Sequence, residues 1–331
     1  MQDGAIETRK DGEPIGIAVT NWLFLLILLS YLVGSLVISM TDEAAVQLVL
    51  VQCFILLPGI IFLFSRKAPN GRFRLFREQY RLNPVRISNL ALTALLLICL
   101  MPLLTFVNLL SQLFTEYVAS TNIMEKIESY PMALSLLCVG IIPAIGEEMT
   151  FRGLLYGEYR RRSAFIGALL TGVLFGLFHG NLNQMAYACV MGIAFAMVAE
   201  ATGSTISTML MHAMVNCSSV AVIYLVKWIK ENPQLFSEKT YALFVESTSE
   251  KVTVTGRMWI GYGMAAAVGV YLARMVYNVI AIRCGTKARV ETEFAIRDRM
   301  KALREIVTLP LAVAIAVLAL LVAVAEIVPY L

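Results

Sequence analysis

Histidine is nearly absent from this 331-residue chain, which has two, and charge is scarce: 15% of residues are Asp, Glu, Lys or Arg, against 59% hydrophobic. So little charge cannot coat a soluble protein of this length, and a mean hydropathy of +0.75 exceeds what one soluble core would bury. The solvent is therefore a bilayer. The six cysteines, Cys53, Cys99, Cys138, Cys189, Cys217 and Cys284, show no C-x-x-C spacing and read as free thiols. A basic leader is also missing. The first 14 residues carry Asp3, Glu7, Asp11 and Glu13 against Arg9 and Lys10, with no A-x-A-like cleavage site, so the first span is expected to be retained. No repeat, low-complexity tract or soluble domain is visible. The formal charge of +4 is modest and its cations are grouped in loops, which argues against nucleic acid as a partner.

What is present is a succession of apolar runs of about 20 residues, each long enough at ~1.5 Å per residue to cross ~30 Å of hydrocarbon, where only helices satisfy the backbone. Spans are expected near 17–40, 44–64, 88–112, 132–157, 164–179, 184–201, 205–226, 258–282 and 306–330: an all-α, polytopic bundle of nine helices, give or take one. A polar tail (1–14) precedes three N-terminal spans (15–130). Core helices (131–226), a loop (227–257) and two C-terminal spans joined by a basic loop (258–331) follow.

Cations set the expected orientation. Arg66, Lys67, Arg72, Arg74, Arg77, Arg81 and Arg86 follow the second span, and Arg160-Arg161-Arg162 follow the fourth. Arg283, Lys287, Arg289, Arg297, Arg299, Lys301 and Arg304 follow the eighth. All three loops fall on one side, expected to be cytoplasmic, with the N-terminus inside a cell membrane, a bacterial inner membrane by preference. Such loops also suit anionic lipid as a partner. The stretch around Phe294-Ala295-Ile296 and the 227–257 loop read as either amphipathic surface helices or solvated linkers.

The unusual chemistry lies in 132–226. An ionisable residue at bilayer depth is costly unless paired or solvated, so each is a functional candidate. The fourth span carries Glu147-Glu148-Met149-Thr150-Phe151-Arg152. On a helix Glu148 and Arg152 are i,i+4 neighbours in the orientation that favours a salt bridge, while Glu147 points about 100° away. Arg152 is thus expected to neutralise Glu148, leaving Glu147 free to handle a proton, as a general base must. A purely structural ion-pair network is the plainer alternative. The fifth span supplies Phe175 and His179, with Asn183 a turn later; the seventh supplies His212 and Asn216 on one helix face. Both histidines of the chain therefore fall in polar contexts inside spans.

The ordered set Glu147-Glu148-x-x-x-Arg152, Phe175-x-x-x-His179 and His212-x-x-x-Asn216 resembles the three motifs of the CPBP (CAAX protease and bacteriocin-processing, or Abi) intramembrane proteases, which include the type II CAAX prenyl endopeptidases. The similarity spans roughly residues 130–225. It implies a bundle whose water-filled cavity opens to the cytosol, with a peptide or protein substrate reached from the cytosol or inner leaflet. By that resemblance Glu147 activates water with help from His179, His212 and Asn216 stabilise the oxyanion, and Glu148 and Arg152 hold the helix. Family members are often named metalloproteases. Glu147, His179 and His212 would be the zinc ligands if a Zn²⁺ takes part, although no H-E-x-x-H helix is present and the ligands would have to converge from three spans.

Two readings from other classes compete: a non-catalytic scaffold or bacteriocin self-immunity protein on the same fold, and a proton-coupled transporter. Intact Glu147, His179, His212 and Asn216 speak against the first. The second lacks recognisable related halves with broken helices.

Overall fold

Backbone groups have no water to bond to in hydrocarbon, so long apolar runs close their hydrogen bonds within helices. The computed structural model describes residues 14–67, 69, 71–115, 129–249, 255–293 and 298–327, and among these there is no strand. In chain order the helices are α1 (Ile17–Ile38), α2 (Ala44–Ser65), α3 (Arg72–Gln79), α4 (Ile87–Ser111), α5 (Met132–Tyr159), α6 (Ala164–Leu177) and α7 (Leu182–Thr202). They continue as α8 (Ile206–Glu231), α9 (Glu238–Ser249), α10 (Gly256–Arg283), α11 (Lys287–Glu293), α12 (Arg299–Ile306) and α13 (Leu309–Ile327).

Eight of these, α1, α2, α4, α5, α7, α8, α10 and α13, are long and apolar enough to cross a membrane. The expected span at 164–179 is the short helix α6, whose 14 residues reach only about 20 Å. Local sequence explains its limits. Ser163 caps its start by accepting from the Ile166 amide at 3.3 Å, and it ends before a turn in which Gly180 takes φ 70°. Asn181 then caps α7, accepting from the Gln184 amide at 2.9 Å. The 227–257 loop contains helix α9, and α11 and α12 flank 294–297, so Phe294-Ala295-Ile296 lies outside the described residues. All six cysteines are free.

Helix α5 is not a uniform α-helix. It widens into π turns at Leu136–Ile141 and Met149–Leu155, on either side of the α-helical stretch Ile142–Glu148 that carries both glutamates. Single π segments inside helices often mark functional sites because they re-aim side chains and loosen backbone carbonyls. Close packing surrounds this helix. A Cβ at Gly153 would stand 3.0 Å from the Tyr80 backbone, and one at Gly192 of α7 would stand 2.8 Å from the Gly172 Cα of α6.

The three basic loops gather at one end of the bundle. Arg160 and Arg289 both reach the buried Glu200 carboxylate, at 2.6 and 3.3 Å. The Arg81 carbonyl accepts from the Thr205 amide at 3.0 Å, and Arg162 lies 3.4 Å from Glu305. At the other end Glu326 accepts from the Leu182 amide at 2.9 Å, and Asn183 donates to Ser111 at 2.9 Å. Alternate helices thus run between a cation-rich end and an end joined by neutral and acidic groups.

Candidate functional site

A cavity of about 610 Å³ occupies the middle of the bundle and the half away from the basic loops. Glu147, His179, His212 and Asn216, drawn from α5, the turn after α6, and α8, all line it. Behind its wall Glu148 and Arg152 are fully buried and paired, Arg152 Nη1 to Glu148 Oε1 at 2.7 Å. The i,i+4 pairing expected from sequence is therefore made, although the helix turns wide between the two residues.

The Arg152 guanidinium is also stacked on aromatics, 4.3 Å from the Phe175 ring centre and 5.3 Å from that of Phe195. Cation–π contact in a dry site holds a guanidinium in one plane. Phe175 does further work: its ring meets His179 edge-on at 4.9 Å and His212 at 5.7 Å. This single residue packs against the arginine and both histidines.

Glu148 has a second partner. His212 Nδ1 lies 2.9 Å from the same Oε1 that takes Arg152. A carboxylate held by a guanidinium only accepts, so Nδ1 must carry the proton. Nε2 is the nitrogen left to the cavity, and it faces Glu147 Oε2 at 3.8 Å. His179 is tied the same way, with Nδ1 donating to the Phe175 carbonyl at 2.8 Å. Both imidazoles therefore spend Nδ1–H on the scaffold and keep Nε2 for chemistry.

Glu147 is unpaired on its own helix, as the spacing predicts, but not in the fold. Gln52 of α2 donates to its Oε1 at 3.0 Å. Sequence reasoning passed over Gln52; its signal was a carboxamide deep in a span whose other carboxamide, Gln47, lies in the first turn. Asn216 donates to the Val139 carbonyl, in the first π turn of α5, at 3.1 Å. One of its two amide hydrogens remains available to the cavity it lines. Asn183 sits at the rim, bonded to Asn108 Oδ1 at 3.1 Å as well as to Ser111, and ties α7 to α4.

Zinc would need three ligands at about 2 Å from one point. Among the described residues no group of three or more His, Cys, Asp or Glu side chains is disposed to hold a metal ion. Glu147, His179 and His212 share the cavity wall without converging as a ligand set, so the geometry does not fit a three-ligand ion.

The fold and this centre define a class: a polytopic α-helical membrane protein with a carboxylate–imidazole site at mid-depth. The sequence comparisons name it further. Residues 129–218 match the family model described as type II CAAX prenyl endopeptidase Rce1-like. A Bacillus subtilis (strain 168) protein named "Putative membrane peptidase YdiL" is 28% identical over 95 residues, which are 28% of this chain and 38% of that protein. The chain thus spans well under half the length of this relative. No solved structure gives a significant match. The resemblance read from the three motifs is borne out by this match: Glu147, Glu148, Arg152, Phe175, His179, His212 and Asn216 all fall inside the residues similar to the Rce1-like family.

Proposed function

We propose that this chain is an integral membrane endopeptidase that hydrolyses a peptide bond in a membrane-associated protein or peptide precursor, of CAAX or bacteriocin/pheromone type. The observation that carries the reading is the pairing of Glu147 with Nε2 of His212 on one cavity wall, each fixed by a group that takes no part in the chemistry, Gln52 for the first and Glu148 for the second.

Glu147 takes a proton from a water as its oxygen attacks the peptide carbonyl carbon. His179 Nε2 accepts a hydrogen bond from the same water and orients it. The carbonyl oxygen becomes an oxyanion, to which Asn216 donates its spare N–H. His212 also serves the oxyanion: protonated on both ring nitrogens from the start and throughout, it donates Nε2–H while Glu148 accepts Nδ1–H from behind. Such donors are worth about 3–4 kcal/mol in the transition state. Glu147 then passes its proton to the departing amine as the C–N bond breaks, and a new acid and a new amine leave. Every proton is accounted for by side chains and one water.

The test compares purified wild type with Glu147→Gln and His179→Ala on a peptide library, with and without chelator. Cleavage by wild type and its loss in both variants is the expected result. Equal cleavage by all three overturns the reading. Loss on chelation, restored by Zn²⁺, overturns the side-chain mechanism while leaving the peptidase.

A further inference from the structure

The resemblance carries a cavity open to the cytosol, and the cation pattern makes the basic loops cytosolic. The structure sets these two expectations at opposite ends of the bundle. From Glu147 and His212 near mid-depth the cavity wall runs to Gln112, which follows the last residue of α4, and to Asn183, the second residue of α7. Those two helix ends are the ones remote from the basic loops, since α4 starts just after Arg86 and α7 finishes at the Glu200 cluster that holds Arg160 and Arg289. No residue of the three basic loops lines the cavity.

Orientation is decided by Lys and Arg near span ends, and here most of those residues crowd one end, with Lys227, Lys230 and Arg257 at the other. We infer that the cavity is reached from the extracytoplasmic side of the membrane, and that its substrate is a polypeptide stretch presented there: of the substrate types proposed above, an exported or membrane-inserted precursor and not a cytosolic CAAX protein. The lining says what kind of stretch. Among the described residues that form it there is no Lys or Arg, and Glu147 is the one carboxylate. Aliphatic walls such as Leu48, Val51 and Met101 alternate with carboxamides at Gln112 and Gln184. An extended, uncharged segment suits these groups, its side chains on the apolar wall and its backbone bonded to the amides.

This inference rests on the peptidase reading for its substrate but not for its sidedness, and the two are tested apart. Single cysteines are placed at Gln112→Cys on the rim, Ser219→Cys on the cavity wall and Lys67→Cys in the first basic loop, and each is treated with a membrane-impermeant thiol reagent. Wild type supplies the background of the native thiols. In intact cells, Gln112→Cys and Ser219→Cys should be modified, with Lys67→Cys modified only after permeabilisation. The reverse pattern, or modification of Lys67→Cys from the same side as Gln112→Cys, overturns the inference. In parallel, a charged-tailed peptide that wild type cleaves in detergent should be cleaved when added to right-side-out vesicles and spared by inverted ones. Cleavage only by inverted vesicles sinks the sidedness and keeps the peptidase. Absence of cleavage in detergent sinks the peptidase, and the labelling still reports which face the cavity meets.

Discussion

His212 and Glu148, 64 positions apart in the chain, meet through Nδ1 and Oε1 at 2.9 Å, and that one hydrogen bond decides which nitrogen of His212 can do chemistry. Since the same oxygen receives Arg152 at 2.7 Å, the arginine acts on the cavity through two intermediates: it holds Glu148, its i,i+4 neighbour, which holds the ring.

Replacing Glu148 by Gln should therefore injure catalysis beyond its structural cost. A glutamine carbonyl still accepts from Nδ1 but lacks the charge that holds the second proton on the ring, so Nε2 would lose the N–H that serves the oxyanion. Peptidase activity should fall roughly 10²–10³-fold, as it does when one oxyanion donor is removed. Turnover measured beside thermal unfolding in detergent checks this: a loss of turnover no larger than the loss of folded protein would refute the argument.

Arg152→Met should be the more destabilising change. It leaves a fully buried carboxylate without its guanidinium, and breaking such a pair costs about 3–5 kcal/mol. The double variant Glu148→Gln/Arg152→Met should regain part of that stability and none of the activity. Unfolding midpoints of the three proteins in detergent decide the matter; additive losses would contradict a coupled pair.

Gln52→Leu removes the donor to Glu147 from outside the motif-bearing region. A hydrogen bond to a charged group is worth about 1.5–3 kcal/mol, so kcat should drop about 10- to 100-fold. KM should move little, because Gln52 positions the base. Steady-state kinetics separates the two constants, and a change confined to KM would assign Gln52 to substrate binding instead.

Gly192→Ala tests how closely the short helix α6 must approach α7. The added Cβ would stand 2.8 Å from the Gly172 Cα and 3.2 Å from Arg152 Nη2, a backbone on one side and the buried guanidinium on the other. Overpacking of this kind costs about 1–3 kcal/mol. Thermal unfolding should show that loss, with activity falling alongside it as Arg152 is displaced.

The chain's apolar runs made the class of fold legible, because hydrocarbon allows a long apolar segment only one regular structure. The i,i+4 spacing of Glu148 and Arg152 was legible for a related reason: helical neighbours are fixed by the chain itself. The three motifs were equally local, and they carried the family. Three things were not local. Gln52 meets Glu147 only because α2 packs on α5, and no spacing in the sequence links positions 52 and 147. The proton on His212 is placed by a carboxylate from another helix. The cavity's end is set by which helix termini it reaches, Gln112 and Asn183, and not by the loops whose charge the sequence displays so plainly. Sequence determined the solvent, the helices and the candidate reactive groups, since these follow from composition and short-range geometry. Which group holds which, and toward which end of the bundle the cavity extends, were decided by helix packing, where the partners of a side chain lie tens of residues away.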